Sequence, residues 1–162
     1  MLFVRVGPVG RKVDIRAYSG GMAVTSEATT IWNGDQASGS GMTRLDSSTA
    51  AQFPVTWAAR SKGVARKTNP EELLGAAHSA CFSMEFANTL AGFGTPPQRL
   101  QVTAAVTFDA DAGITGIHLL VSAKVSGISE HDFERLAAEA KETCPISRAL
   151  TGIPVTLEAN LA

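Results

Sequence analysis

Residues 68–92, TNPEELLGAAHSACFSMEFANTLAG, constrain the fold of this chain more than any other stretch. They form the longest unbroken helical pattern, and its start is well marked. Asn69 suits the N-cap, Pro70 the first helical position, and Glu72 falls three residues after Asn69, where its side chain can reach back to the cap N–H. Leu73, Leu74, Ala76, Ala77, Ala80, Cys81, Phe82, Met84, Phe86, Ala87 and Leu90 then cover nearly the whole circumference. That pattern predicts a buried central helix rather than a surface helix with one wet face. At 1.5 Å per residue it makes a rod of about 33 Å, comparable to the width of a small domain. Cys81, one of two cysteines, sits near its middle.

The remainder supplies what such a helix packs against. Residues 1–22 carry Arg5, Arg11, Lys12 and Arg16 against the single acid Asp14, and they form an N-terminal extension set apart from one domain over 23–162. A flexible extension is preferred over a targeting segment, and Phe3, Val4 and Val6 could add a short edge strand. Strands are expected at 28–32, 42–45 and 53–57, followed by a cationic loop at 60–67. Beyond the helix, alternation at 100–108 and 117–125 predicts a long hairpin around the turn DADAG. Asp109 and Asp111 are turn residues there, because the other ligand positions of a calcium loop are missing. A second helix begins at Ser129 with Phe133, Leu136, Ala137, Ala140 and Cys144 on one stripe, and Pro145 interrupts it. A short turn, PISRAL, and an alternating strand over 153–161 close the chain. The expected class is α+β with a mainly antiparallel sheet. One sheet covers one side of the central helix, so a second subunit is expected on the other, in an isologous dimer.

Charge excludes some functions. Lys+Arg 14 against Asp+Glu 15 gives no electrostatic case for nucleic acid or an anionic membrane surface. No apolar run approaches the roughly 20 residues that span a bilayer, and a cytoplasmic location is expected. Two cysteines in a reducing compartment are then either buried hydrophobes or reactive thiols. They stand 63 residues apart (144 − 81), so they form no C-x-x-C pair, and two sulfurs alone build no zinc site. Reactivity needs a thiolate. Cys81 is mid-helix and gains nothing from a helix terminus, so it needs an external cation, with Arg60 or Arg66 as the candidates. Cys144 precedes Pro145 and can cap a short helix, so local physics alone could equally name Cys144 the nucleophile. His78, three before Cys81, fits packing or a supporting hydrogen bond better than a hydrolase base. Trp32 and Trp57 fit the core.

NPEELLGAAHSACFSM at 69–84 and CPISRAL at 144–150 closely resemble the osmotically inducible protein and organic hydroperoxide resistance (OsmC/Ohr) family. The resemblance extends from about Val24 to Ala162 and includes TIWNGD at 30–35; the residues around Cys81 look more like the OsmC branch. It implies an OsmC-like fold, an intertwined homodimer with active sites at the subunit interface, and a thiol peroxidase that reduces organic hydroperoxides. By position it implies Cys81 as peroxidatic and Cys144 as resolving cysteine, with Glu71 and an arginine, best matched by Arg60 and rivalled by Arg66. It further implies an external dithiol reductant of lipoyl type, and no metal, flavin or haem cofactor. Glu71 and Cys81 stand ten residues apart on one helix, about 15 Å along it and about 80° around it. Glu71 and Arg60 are therefore expected to serve Cys81 of the other subunit. A dimeric module binding a hydrophobic ligand, with inert cysteines, is the alternative.

Overall fold

A computed structural model describes residues 23–162, and the extension at 1–22, with its candidate edge strand, lies outside the described residues. The first three strands, β1 (Ala28–Asn33), β2 (Ser40–Leu45) and β3 (Gln52–Thr56), form the expected antiparallel meander. A short helix α1 (Trp57–Lys62) follows, then the long helix α2 (Pro70–Gly92). The hairpin is β4 (Arg99–Asp109) and β5 (Gly113–Lys124); α3 (Glu130–Thr143), α4 (Pro145–Ala149) and β6 (Val155–Leu161) complete the chain. The class is α+β as expected, with two departures.

The strands form two separate three-stranded sheets, β1-β2-β3 and β4-β5-β6, rather than one. Within the second, β6 lies parallel to β5, because the chain crosses back over the sheet through α3 and α4 before it pairs. The cationic loop expected at 60–67 begins as helix. Thr56 caps α1 by accepting the Ala59 N–H at 3.1 Å, and Gly63, at φ 66°, stops it.

The core lies between the second sheet and the helices. Ile117, Leu119, Val121 and Ala123 point inward from β5, alternating with exposed His118, Leu120, Ser122 and Lys124. Leu119, Val121 and Ala123 meet Phe133, Leu136, Ala137 and Ala140 of α3 and Phe82, Phe86 and Leu90 of α2. Phe86 joins the helices, its ring 5.6 Å from that of Phe82 and 5.2 Å from that of Phe133. No helix among the described residues is long and apolar enough to cross a membrane.

Only half of the apolar circumference of α2 is used within one chain. Glu71, Gly75, His78, Phe82, Phe86 and Leu90 form the buried stripe. Ala76, Ala77 and Ala80 face outward, and Met84 is 69% exposed. The first sheet is similarly bare, with Ile31 60% exposed.

Gly75 sets how closely α2 approaches β4. A Cβ there would stand 2.8 Å from the Ala104 carbonyl oxygen. Alanine would improve helix propensity by about 1 kcal/mol. Pushing a backbone carbonyl away costs about 1–3 kcal/mol and strains the sheet. Gly75→Ala is therefore expected to lower the urea midpoint, by an amount corresponding to a net stability loss of about 1 kcal/mol. A raised midpoint would show that α2 and β4 part freely.

Candidate active site

Two clusters of functional groups lie along α2. The first is the thiol pair. Cys144 belongs to no helix, contrary to the expectation that it ends the second one: at φ −56°, ψ 120° it caps the C-terminus of α3 and the N-terminus of α4. Pro145 is the cause, since it disfavours helical geometry in the preceding residue yet suits the first position of the next helix. The Cys144 N–H still donates to Ala140 O at 2.9 Å, and its side chain is fully buried. Cys81 comes from α2 and is only half-buried. Both are free thiols, and their Sγ atoms stand 3.5 Å apart. An approach of about 1.5 Å would bring them to disulfide bonding distance.

Burial is the main influence that pushes the Cys81 thiol up. The Ile146 backbone N–H works against it, while Cys144 and Glu85 reinforce it. The Ile146 N–H is one of the unpaired donors of the first turn of α4. Cys81 thus receives the help from a helix start that the sequence assigned to Cys144, whose own side chain makes no cap hydrogen bond. No cation is among the groups that shift Cys81 within the described chain. Glu85 lies one turn beyond Cys81 and accepts the Thr143 hydroxyl at 2.7 Å. Glu85→Gln keeps that acceptor and removes the charge, so the Cys81 pKa is expected to fall. Thiolate absorbance against pH, in a Cys144→Ser background, measures it; an unchanged or higher value would discount the Glu85 charge.

The second cluster is an ion pair at the start of α2. Arg60 donates from Nε and Nη2 to Glu71 Oε1, at 3.0 and 2.7 Å. Glu71 is 5% exposed, and its Oε2 has no partner among the described residues. The guanidinium also lies 4.2 Å over the Phe108 ring. Asn69 fixes the geometry, accepting the Glu72 N–H at 2.8 Å as N-cap and donating to Ala59 O of α1 at 3.3 Å. The Glu72 carboxylate takes the Thr68 hydroxyl instead of reaching back to the Asn69 N–H. Of the two candidate arginines, Arg60 is the one paired with Glu71; Arg66 is exposed in the following loop.

A cavity of about 340 Å³ opens beside Arg60, walled by Trp32, Val55, Trp57, Pro70 and Leu73. Its walls are mostly apolar. Trp32, expected in the core, is instead 39% exposed on this wall. The sequence carried only one hint of that role, the TIWNGD motif. The structure brings Cys81 to Cys144 and Arg60 to Glu71, but it does not join the two pairs within one chain. Glu71 and Cys81 are separated by ten residues of continuous helix, about 15 Å. His118 and His131 are exposed, and among the described residues no group of three His, Cys, Asp or Glu side chains could hold a metal ion.

The family of OsmC-like proteins matches residues 62–158. The chain is 37% identical over 143 residues to peroxiredoxin OsmC of Escherichia coli, covering 86% of this chain and 99% of that protein. The organic hydroperoxide resistance protein OhrA of Bacillus subtilis is 35% identical over 102 residues, 61% of this chain and 72% of its own length. Among solved structures, an OsmC-like protein from Mycoplasma pneumoniae superimposes with a TM-score of 0.67 at 18% identity, covering 87% of this chain and 99% of that one. The greater identity and coverage place the chain nearer OsmC than OhrA.

Proposed function

The chain belongs to the OsmC family, and from that membership we propose that it is a thiol-dependent peroxidase reducing organic hydroperoxides to alcohols. The observation that carries this reading is the 3.5 Å approach of an accessible and a fully buried free thiol from distant parts of the sequence. The Cys81 thiolate attacks the terminal peroxide oxygen, the O–O bond breaks, and the departing alkoxide takes up a proton to leave as alcohol. Cys81 is then a sulfenic acid. Cys144 attacks its sulfur, hydroxide leaves and is protonated to water, and a disulfide results before further oxidation. An external dithiol, of lipoyl type on the family resemblance, returns two electrons and two protons. The exposures support this division of roles, because a peroxide reaches Cys81 and not Cys144. The chain's own residues supply this chemistry without metal, flavin or haem.

The working unit in this reading is an intertwined homodimer in the cytoplasm. The unused apolar face of α2 and the bare first sheet support it, as does the separation of the two clusters. Arg60, held by Glu71, serves Cys81 of the partner subunit, supplying the cation that Cys81 lacks among the described residues of its own chain. The cavity beside Arg60 takes the alkyl or aryl group. Burying such a group is worth about 1.5–3 kcal/mol, or roughly ten- to a hundredfold in rate.

The test is hydroperoxide consumption by the purified protein with dithiothreitol as reductant. Cumene hydroperoxide is expected to be turned over about tenfold or more faster than hydrogen peroxide. No consumption of either, with equal fatty-acid binding by wild type and by the protein lacking both cysteines, would make it a hydrophobic-ligand module.

A further inference from the structure

One buried polar side chain takes no part in the chemistry above. His78 is fully buried, three residues before Cys81 on α2, and its Nε2 lies 2.8 Å from Ser147 Oγ. Its Nδ1 has no hydrogen-bond partner among the described residues. Burial pushes the imidazole pKa down, so the ring is neutral and carries a single N–H. A bare lone pair costs less than an orphaned buried N–H, so the proton sits on Nε2 and Ser147 Oγ accepts it.

What Ser147 belongs to gives this bond its importance. It is the third residue of α4, a five-residue helix whose N-cap is Cys144 and none of whose side chains is fully buried. That single turn carries the Cys144 sulfur at its start and the Ile146 N–H that acts on Cys81. Ile146 is its one side chain packed, half-buried, against the core, and a helix of that length has little stability of its own. The His78–Ser147 hydrogen bond, made from the fully buried imidazole to a half-buried hydroxyl, ties it to α2.

We propose that His78 is a positioning residue that, through Ser147, holds α4 against α2 and so keeps Cys144 Sγ within bonding reach of Cys81 Sγ. The proposal rests on reading the two thiols as a redox pair. Without the bond, α4 pivots about Cys144, and the effective concentration of one thiol at the other falls. The disulfide becomes harder to form and easier to reduce.

The thiol–disulfide equilibrium tests this without any peroxide. The protein is held in mixtures of reduced and oxidised dithiothreitol, so that two electrons and two protons pass from Cys81 and Cys144 to the cyclic disulfide of the reagent. Alkylation and mass spectrometry then give the oxidised fraction. His78→Leu and Ser147→Ala are each expected to lower the equilibrium constant about tenfold, equivalent to about 30 mV. The double variant is expected to fall no further, because both changes remove one interaction. His78→Gln, whose amide N–H can replace the Nε2–H, is expected to recover most of the loss. A role in stability alone would lower the melting temperature of His78→Leu and leave this equilibrium where it was. Unchanged constants in both single variants, additive losses, or no disulfide in the wild type would overturn the proposal. Hydroperoxide consumption by the wild type is measured separately, so the peroxidase reading stands or falls on its own result.

Discussion

Cys81→Ser protein is expected to consume cumene hydroperoxide no faster than buffer, a loss of about 10⁴-fold or more, as when a catalytic nucleophile is removed. The serine hydroxyl stays protonated at neutral pH, and the other sulfur, Cys144, is fully buried behind it. Cys144→Ser is expected to behave differently. It retains the first oxidation, gains one oxygen atom at Cys81 and stops, because nothing else within reach can expel the hydroxide. Excess hydroperoxide then drives Cys81 on to the sulfinic acid. Mass spectrometry of the two variants after one addition of hydroperoxide separates these outcomes. An inert Cys144→Ser beside a reactive Cys81→Ser would reverse the roles.

The second large effect concerns the ion pair. Arg60→Ala and Glu71→Ala are each expected to slow Cys81 oxidation by about 10²–10³, the scale of losing one preorganised donor at a developing charge. Arg60→Ala also leaves the Glu71 carboxylate buried and unpaired, and a stability loss of about 2 kcal/mol is expected. That is below the 3–5 kcal/mol of a fully buried pair, because the Arg60 side chain is 31% exposed. Arg60→Lys is expected to recover more stability than rate, since a point charge cannot reproduce the two-pronged contact with Glu71. Sharing between subunits is read from mixed dimers of Cys81→Ser and Arg60→Ala chains. Sharing in trans leaves one site intact and one doubly damaged, so half the activity survives. If each chain used its own arginine, both sites would be lost.

The parts of this fold that were legible in sequence are those with a long period. The cap and 23 residues of α2, the alternation through β4 and β5, and the stripe of α3 each repeat often enough to exclude other structures. Six residues of α1 do not, and its only local signal was the Thr56 cap. That omission left Arg60 and Arg66 undecided, because the turn of α1 is what aims Arg60 at Glu71. The parallel pairing of β6 was hidden for another reason: alternation identifies a strand but not its neighbour. The thiol approach, the Ile146 amide at Cys81 and the His78 bond to Ser147 are tertiary contacts across more than sixty residues. No local pattern encodes them, and only the family resemblance pointed to the pairing of Cys81 with Cys144. Trp32 was misplaced because a large aromatic in a strand ordinarily faces a core, and here β1 is exposed along its whole length among the described residues.

The most direct test of the peroxidase account is to add one equivalent of cumene hydroperoxide to fully reduced protein, count the remaining thiols, and map any disulfide by mass. The account predicts that both thiols disappear into one bond between Cys81 and Cys144 of the same chain, with one alcohol released per chain. Two thiols left unreacted, or a bond joining Cys81 to a different chain, would contradict it.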